Sequence, residues 1–257
     1  MSVWFITGAS RGFGIEITRQ AVARGDQVAA TARNPEAITE AVPDAGDALL
    51  TLPLDVTSAG QAAAAVSATV ARFGRIDALV NDAGRGLLGA VEEVSDAEAR
   101  AVFDVNVFGL LTVTRAVLPV MREQGAGTII NISSSGGFVG RAGWGVYCAT
   151  KFALNAIGKT ARMELASTGV KVMTVCPGYI ETNFSKNVVR GSQANKFDPG
   201  ARKGGTADQV ARATLEGYLK GKREVVVPWF YQIAIKFYQL IPSVVEGFMS
   251  KRLATGK

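Results

Sequence analysis

The sequence predicts an α/β fold, with one parallel sheet covered by helices on both faces. Short β-rich runs alternate with longer helical patterns along most of the chain. The runs are nearly continuously apolar, Val3-Trp4-Phe5-Ile6 above all, as suits strands buried on both faces. No linker, repeat or low-complexity tract interrupts the 257 residues, so one domain over 1–257 is expected.

The elements follow in order. Val3 to Thr7 reads as the first strand, and Gly14 to Arg24 as the helix after it. Gln27 to Ala32 and Leu49 to Leu54 read as the second and third strands. Ser58 to Phe73 is alanine-rich and helical, and Ala78 to Asn81 is a short fourth strand. A long helix is expected from Ser95 to Arg122, opened by a capping box of Ser95 with Glu98. Thr128 to Ser133 is the fifth strand, Gly145 to Ser167 a helix, and Val170 to Cys176 the sixth strand. A second capping box, Thr206 with Gln209, starts a helix to about Lys220, and Glu224 to Val227 is the seventh strand. In such sheets ligands bind beyond the carboxyl ends of the strands, so chemistry is expected there.

Composition narrows the chemistry. The chain has no histidine, which removes Ser-His-Asp and Cys-His catalysis and all histidine metal ligation; no metal is expected. Acid/base work falls to Tyr, Lys, Asp, Glu or Cys. The two cysteines, Cys148 and Cys176, read as free buried thiols in a reducing cytoplasm. No run of 18 or more consecutive apolar residues suggests a membrane span, and the start has no signal-peptide pattern. The net charge of +6 comes without a nucleic-acid-binding motif, so no nucleic-acid partner is expected; the charge suits an anionic ligand such as a phosphorylated cofactor.

The turn Thr7-Gly8-Ala9-Ser10-Arg11-Gly12-Phe13-Gly14 joins the first strand to the first helix. Glycines permit positive φ and close approach of a ligand to the backbone. The helix start offers free N–H groups and a positive dipole end to a pyrophosphate. Tyr147 and Lys151 lie four apart on an expected helix and share a face. A free tyrosine has a pKa of about 10, and lowering it by about three units takes roughly 4 kcal/mol. A neighbouring ammonium, with the positive charge of an oxidised nicotinamide, is a source of that stabilisation. Such a phenol exchanges a proton with a carbonyl or alcohol oxygen near neutral pH.

The glycine spacing, Leu54-Asp55-Val56, Asn81-Asp82-Ala83-Gly84, Asn106, Ser134 thirteen residues before Tyr147, Tyr147-x-x-x-Lys151 and Pro177-Gly178 occur in one order. Together they resemble the short-chain dehydrogenase/reductase family over about residues 1 to 225. The resemblance implies a Rossmann-like, doubly wound parallel sheet of about seven strands, and a homodimer or homotetramer. It implies hydride transfer by a nicotinamide cofactor, with Tyr147 as acid/base. Ser134 would bind the substrate oxygen, Lys151 would hold the nicotinamide ribose, and Asn106 would anchor a relay water. Ser133 and Ser135 are near-equivalents of Ser134, and only spacing chooses among them. The cofactor would lie against Gly8, Ser10, Arg11, Gly12, Phe13 and Gly14, then Asp55 and Val56, then Asn81, Ala83 and Gly84. Beyond Tyr147 and Lys151, the resemblance adds Pro177, Gly178, Ile180 and Thr182. Asp82 departs from the usual asparagine: a carboxylate there is protonated, re-paired or mildly destabilising.

No carboxylate follows the second strand, where Thr31-Ala32-Arg33-Asn34 stands, and Asp26 belongs to the strand's other end. Arg33 and Arg11 are placed to clamp a 2′-phosphate, so NADPH is expected over NADH. Phe138, Trp144, Tyr179 and Phe184 suggest an apolar pocket for a bulky ketone, aldehyde or secondary alcohol, unless they are core. Residues 183–205 read as a substrate lid. The aromatic stretch 229–257 reads as a helical extension that covers the pocket, forms a subunit interface or touches a membrane surface. Two rivals to an enzyme of this kind are a cofactor-binding sensor without turnover and a nucleotide-sugar epimerase. The intact Ser134, Tyr147 and Lys151 oppose the first, and the lack of a larger C-terminal substrate region opposes the second.

Overall fold

The computed structural model of the chain describes residues 1–181, 188–191, 197 and 204–255. Its main sheet has seven parallel strands: β1 (Val3–Thr7), β2 (Gln27–Ala32), β3 (Leu49–Pro53), β4 (Ala78–Asn81), β5 (Gly127–Ile132), β6 (Val170–Pro177) and β7 (Glu224–Val227). Their order across the sheet is β7-β6-β5-β4-β1-β2-β3. The order reverses between β1 and β4, which opens a crevice at the carboxyl ends of those two strands.

Alternation along β1 explains why the sheet is covered twice. Trp4 and Ile6 join a core cluster with Ile15, Ile17 and Ala21 of α1 (Gly12–Ala23) and with Val210 and Leu215 of α7 (Ala207–Leu219). Phe5 points to the other face, among Ala62 and Val66 of α3 (Ala59–Phe73) and Val113, Val117 and Met121 of α5 (Leu110–Gln124). Side chains of successive strand residues face opposite sides, so one apolar strand anchors both helical layers. The buried Asp26 carboxylate accepts from the Ser2 N–H at 2.8 Å and the Trp4 indole at 3.0 Å, and pairs with Arg24. That fixes it at the amino end of β2, away from the crevice.

Most expected elements form within one or two residues of their expected bounds, and both capping boxes are present. Three differences stand out. The helix from Ser95 is interrupted: α4 (Asp96–Phe103) passes into a π-helical segment, Asp104–Gly109, before α5. A short helix not anticipated, α2 (Glu36–Ala41), follows Pro35 and buries only Ile38. The 29-residue run Asp96–Gln124 is long and apolar enough to span a membrane, but its Val102, Val113, Val117 and Met121 are buried within the protein. Beyond α6 (Gly145–Glu164) and α7, two further helices, α8 (Phe230–Leu240) and α9 (Pro242–Thr255), close the described chain. Most of the expected lid lies outside the described residues.

Candidate active site

The glycine turn is built to be tight. Gly8 takes φ +69°, and a Cβ there would lie 2.9 Å from the Ala83 backbone. At Gly14 a Cβ would lie 2.7 Å from the Gly8 carbonyl oxygen and 2.9 Å from an Asp82 carboxylate oxygen. Larger residues at either place would push apart the two loops that flank the crevice. Thr7 locks those loops together. Its Oγ1 accepts from the Asp82 and Ala83 N–H groups, both at 3.1 Å, and donates to the Val80 carbonyl. Arg11 precedes α1 without a side-chain cap, and the first turn holds no acidic residue. This backbone cradle at a helix start fits a dinucleotide pyrophosphate. Ser10 and Gly12 complete the turn, and Phe13 packs against the core behind it.

Arg11 and Arg33 are both exposed. Arg33 is close enough to Asp55 to favour its ionised form, although the larger causes of the lowered Asp55 pKa are hydrogen bonds from Thr57, backbone first. Asp55 is therefore held as a carboxylate at the end of β3, and Val56 is buried against Gly109. Asn81 differs from the groove-lining residues. Its amide donates to Asn131 Oδ1 at 3.0 Å and to Thr114 Oγ1 at 3.2 Å, so the side chain braces β4 against β5 and α5. Asn131 and Thr114 are the partners that sequence reasoning missed, since they emerge only once β4 and β5 pair with Asn81 opposite Asn131. Gly84 is exposed, and Gly178 donates to the Val227 carbonyl at 2.7 Å just after Pro177. Ile180 pairs with Gly205. Thr182 and Phe184 lie outside the described residues.

The structure brings Ser134, Tyr147 and Lys151 together at the carboxyl end of β5. Ser134 hydrogen-bonds Tyr147, and its Oγ also accepts from the Gly136 N–H at 3.0 Å. This separates it from its neighbours. Ser133 is buried and turns its hydroxyl to the Lys151 carbonyl, while Ser135 begins a short 3-10 turn. Lys151 is only 7% exposed. Its ammonium donates to the Ile132 carbonyl at 2.9 Å and lies 5.8 Å from the centre of the Tyr147 ring.

Lys151 and the charge of an oxidised nicotinamide were together expected to depress the Tyr147 pKa; in the protein alone, burial holds it above the ordinary phenol value. Burial pushes the phenol above its ordinary value, the Ser134 hydrogen bond opposes this, and Asp82 adds to the rise. Lys151 itself is lowered to about 8 by burial, with the Asp82 carboxylate pulling the other way. Burial raises Asp82 to about 7, against the opposing pull of Lys151 and of the Gly14 N–H.

Asn106 sits in the π-helical segment, 2% exposed. Its Oδ1 accepts from the Arg85 N–H at 2.9 Å, and its Nδ2 donates to the Arg85 carbonyl at 3.0 Å and to Thr150 Oγ1 at 3.1 Å. Thr150 in turn donates to the Tyr147 carbonyl at 2.7 Å. The side chain thus ties the loop after β4 to the helix that carries Tyr147. Gly109 lets the segment pass Val56, whose Cγ2 would lie 2.6 Å from a Cβ there. Trp144 stands edge-on to Tyr147 with ring centres 5.5 Å apart, and packs with Leu88, Val188 and Phe197. Phe138 lies under Lys159, and Tyr179 packs by Gly204.

A phenol bonded to a serine, beside a crevice shaped for a dinucleotide, is the equipment of an oxidoreductase acting on CH–OH groups. A family model described as short chain dehydrogenase matches residues 2–193. The chain resembles the dehydrogenase/reductase SDR family member 7B of Rattus norvegicus, at 30% identity over 98% of this chain and 81% of that protein. Its fold is similar to that of a short-chain dehydrogenase from Streptomyces avermitilis, with TM-score 0.85, 34% identity and coverage of 99% and 98% of the two chains. A short-chain dehydrogenase from Burkholderia cenocepacia, in complex with NADP, matches with TM-score 0.82, 29% identity and coverage of 96% and 97%. The chain belongs to the short-chain dehydrogenase/reductase family.

Proposed function

We propose that this oxidoreductase uses NADPH to reduce a bulky apolar ketone or aldehyde to its alcohol. The observation that carries the reading is the Ser134–Tyr147 hydrogen bond beside a tight glycine cradle. The turn from Gly8 to Gly14 would hold the pyrophosphate and Lys151 the nicotinamide ribose, with Arg11 and Arg33 near the adenosine 2′-phosphate. NADPH supplies the hydride when bound. Ser134 Oγ and the Tyr147 hydroxyl orient the substrate oxygen, and Tyr147 gives it the proton as the alcohol forms. Asn106 fixes the loop and helix on which these groups sit. The apolar group of Trp144, Leu88, Val188 and Phe197 beside Tyr147 supports an apolar substrate.

The same reading extends to assembly and setting. Phe108, 57% exposed, and Phe152, 45% exposed, stand on the π segment and on α6. They support a homodimer or homotetramer paired through these helices. The buried thiols of Cys148 and Cys176 suit a cytoplasmic protein. The single test is Tyr147→Phe, assayed by NADPH oxidation against a ketone panel. Turnover should fall to no more than a few per cent while NADPH still binds. Retention of wild-type kcat would overturn the acid/base role.

A further inference from the structure

We propose that the outward face of α8 and α9 docks on an anionic phospholipid surface, lying along it without crossing it. An ordinary surface helix turns its polar side outward, and α8 does the reverse. Its inner side is held by the protein. Ile235 is buried, and the Tyr231 ring lies where a Cβ on Gly178 would sit. The Tyr238 hydroxyl donates to Glu246 of α9 at 2.6 Å. The outer side repeats Phe230, Ile233, Phe237 and Leu240 at three- and four-residue spacing, and each is more than half exposed. Trp229 before the helix, and Val244 and Phe248 on α9, extend the same exposure. Of the fourteen large apolar side chains exposed among the described residues, eight lie between 229 and 248. The exposed apolar surface is thus gathered into one patch, which marks an interaction site.

Charge selects the occupant. Residues 229–257 carry Lys236, Lys251, Arg252 and Lys257 against one acid, Glu246, which is the group bonded to Tyr238. Lys236 stands three residues from Ile233 and four from Leu240, so it borders the apolar stripe, with Gln232 and Gln239 beyond it. A second copy pressed onto this face would set the cations against like charges, with little acid to answer them. An anionic bilayer answers them. The apolar side chains enter the boundary between headgroups and acyl chains, and the lysine stem reaches back to the phosphates. Length fixes the orientation: the eleven residues of α8 span roughly 17 Å, against about 30 Å of hydrocarbon, so the helix lies in the plane of the surface.

The test is flotation of the full chain with vesicles of phosphatidylcholine alone, or of equal parts phosphatidylcholine and phosphatidylglycerol. Wild type should float with the mixed vesicles and bind them at least about tenfold more tightly than the neutral ones. Ile233→Glu with Phe237→Glu should weaken mixed-vesicle binding at least about tenfold. Leu219→Glu, at an equally exposed apolar site on α7, should leave it unchanged. Lys236→Glu should weaken binding to the mixed vesicles alone. Trp229 gives a readout on the wild-type chain, being the one exposed tryptophan of three. Brominated acyl chains in the mixed vesicles should quench its emission, and Trp229→Phe should abolish that quenching. A wild type that neither floats nor is quenched overturns the proposal, as does equal mixed-vesicle binding by wild type and the double glutamate variant. Wild type that ignores vesicles, with a double variant that loses subunits in light scattering, would assign the face to a second copy instead. Vesicle binding needs no turnover, so the result stands apart from the outcome of Tyr147→Phe.

Discussion

Replacing Asn106 by alanine removes three hydrogen bonds at once, two to the Arg85 backbone and one to Thr150. A typical intramolecular hydrogen bond contributes about 1 kcal/mol net, and leaving a buried partner unsatisfied costs more. Three such losses put the destabilisation at about 3 kcal/mol. For a domain of this size that corresponds to a fall in Tm of roughly 6–12 °C. Geometry adds a functional cost, because Asn106 links the loop after β4 to the helix of Tyr147 through Thr150. Small misplacements of reacting groups are expensive, so kcat should fall at least about tenfold. The assay pairs thermal unfolding with NADPH-dependent reduction of a fixed ketone at saturating cofactor. If Asn106→Ala stayed within about 0.5 kcal/mol of wild type, as neutral surface changes do, the buried network would not exist in solution. A stable variant with a large kcat loss would instead show that Asn106 acts directly on the reaction.

Two further outcomes are expected. Wild type should prefer NADPH to NADH at least about tenfold, since one charge-assisted hydrogen bond to phosphate is worth roughly 1.5–3 kcal/mol. Arg33→Asp should reverse the preference; equal kcat/KM for the two cofactors in wild type would show that neither arginine reaches the phosphate. Light scattering at micromolar concentration should give a dimer or tetramer, and Phe108→Glu with Phe152→Glu should shift it toward monomer. A wild-type monomer would remove the case for pairing through these helices.

How far the sequence could be read depended on the scale of the physics involved. Strands and layers were legible because short apolar runs between helical patterns are a local signal, and the capping boxes because they span four residues. The glycine turn was legible for the same reason: positive φ at Gly8 and Gly12 leaves little choice of residue. The π segment was not, because six residues of altered winding hardly disturb a hydrophobic pattern. Its signal is Gly109, whose necessity appears only when Val56 packs against it. Helix α2 was missed because six residues that bury only Ile38 carry no periodicity. The bracing of Asn81 by Asn131 depends on strand register, which brings together residues fifty apart. The raised Tyr147 pKa was hidden in another way. The spacing puts Lys151 on the same helix face, but does not reveal how deeply the phenol is buried, which is the largest cause of the rise.

That last point fixes how activity should vary with pH. Burial raises the Tyr147 pKa, with Ser134 opposing. A raised pKa keeps the phenol protonated beyond the pH at which a free tyrosine ionises, about 10. The phenol is the proton donor in reduction, so Tyr147 should not limit reduction on the alkaline side below that range. Lys151 should, because its pKa is lowered to about 8 and its cation is lost as pH rises through that value. Reduction should therefore fall above about pH 8 in wild type. Lys151→Arg keeps a positive charge throughout, so whatever activity it retains should lack that limb. Alcohol oxidation needs the tyrosinate and should keep rising with pH relative to reduction. The measurement is kcat/KM in both directions across pH for wild type and Lys151→Arg. An alkaline limb near pH 8 that survived in Lys151→Arg would assign the ionisation to Tyr147 and place its pKa below, not above, the ordinary phenol value.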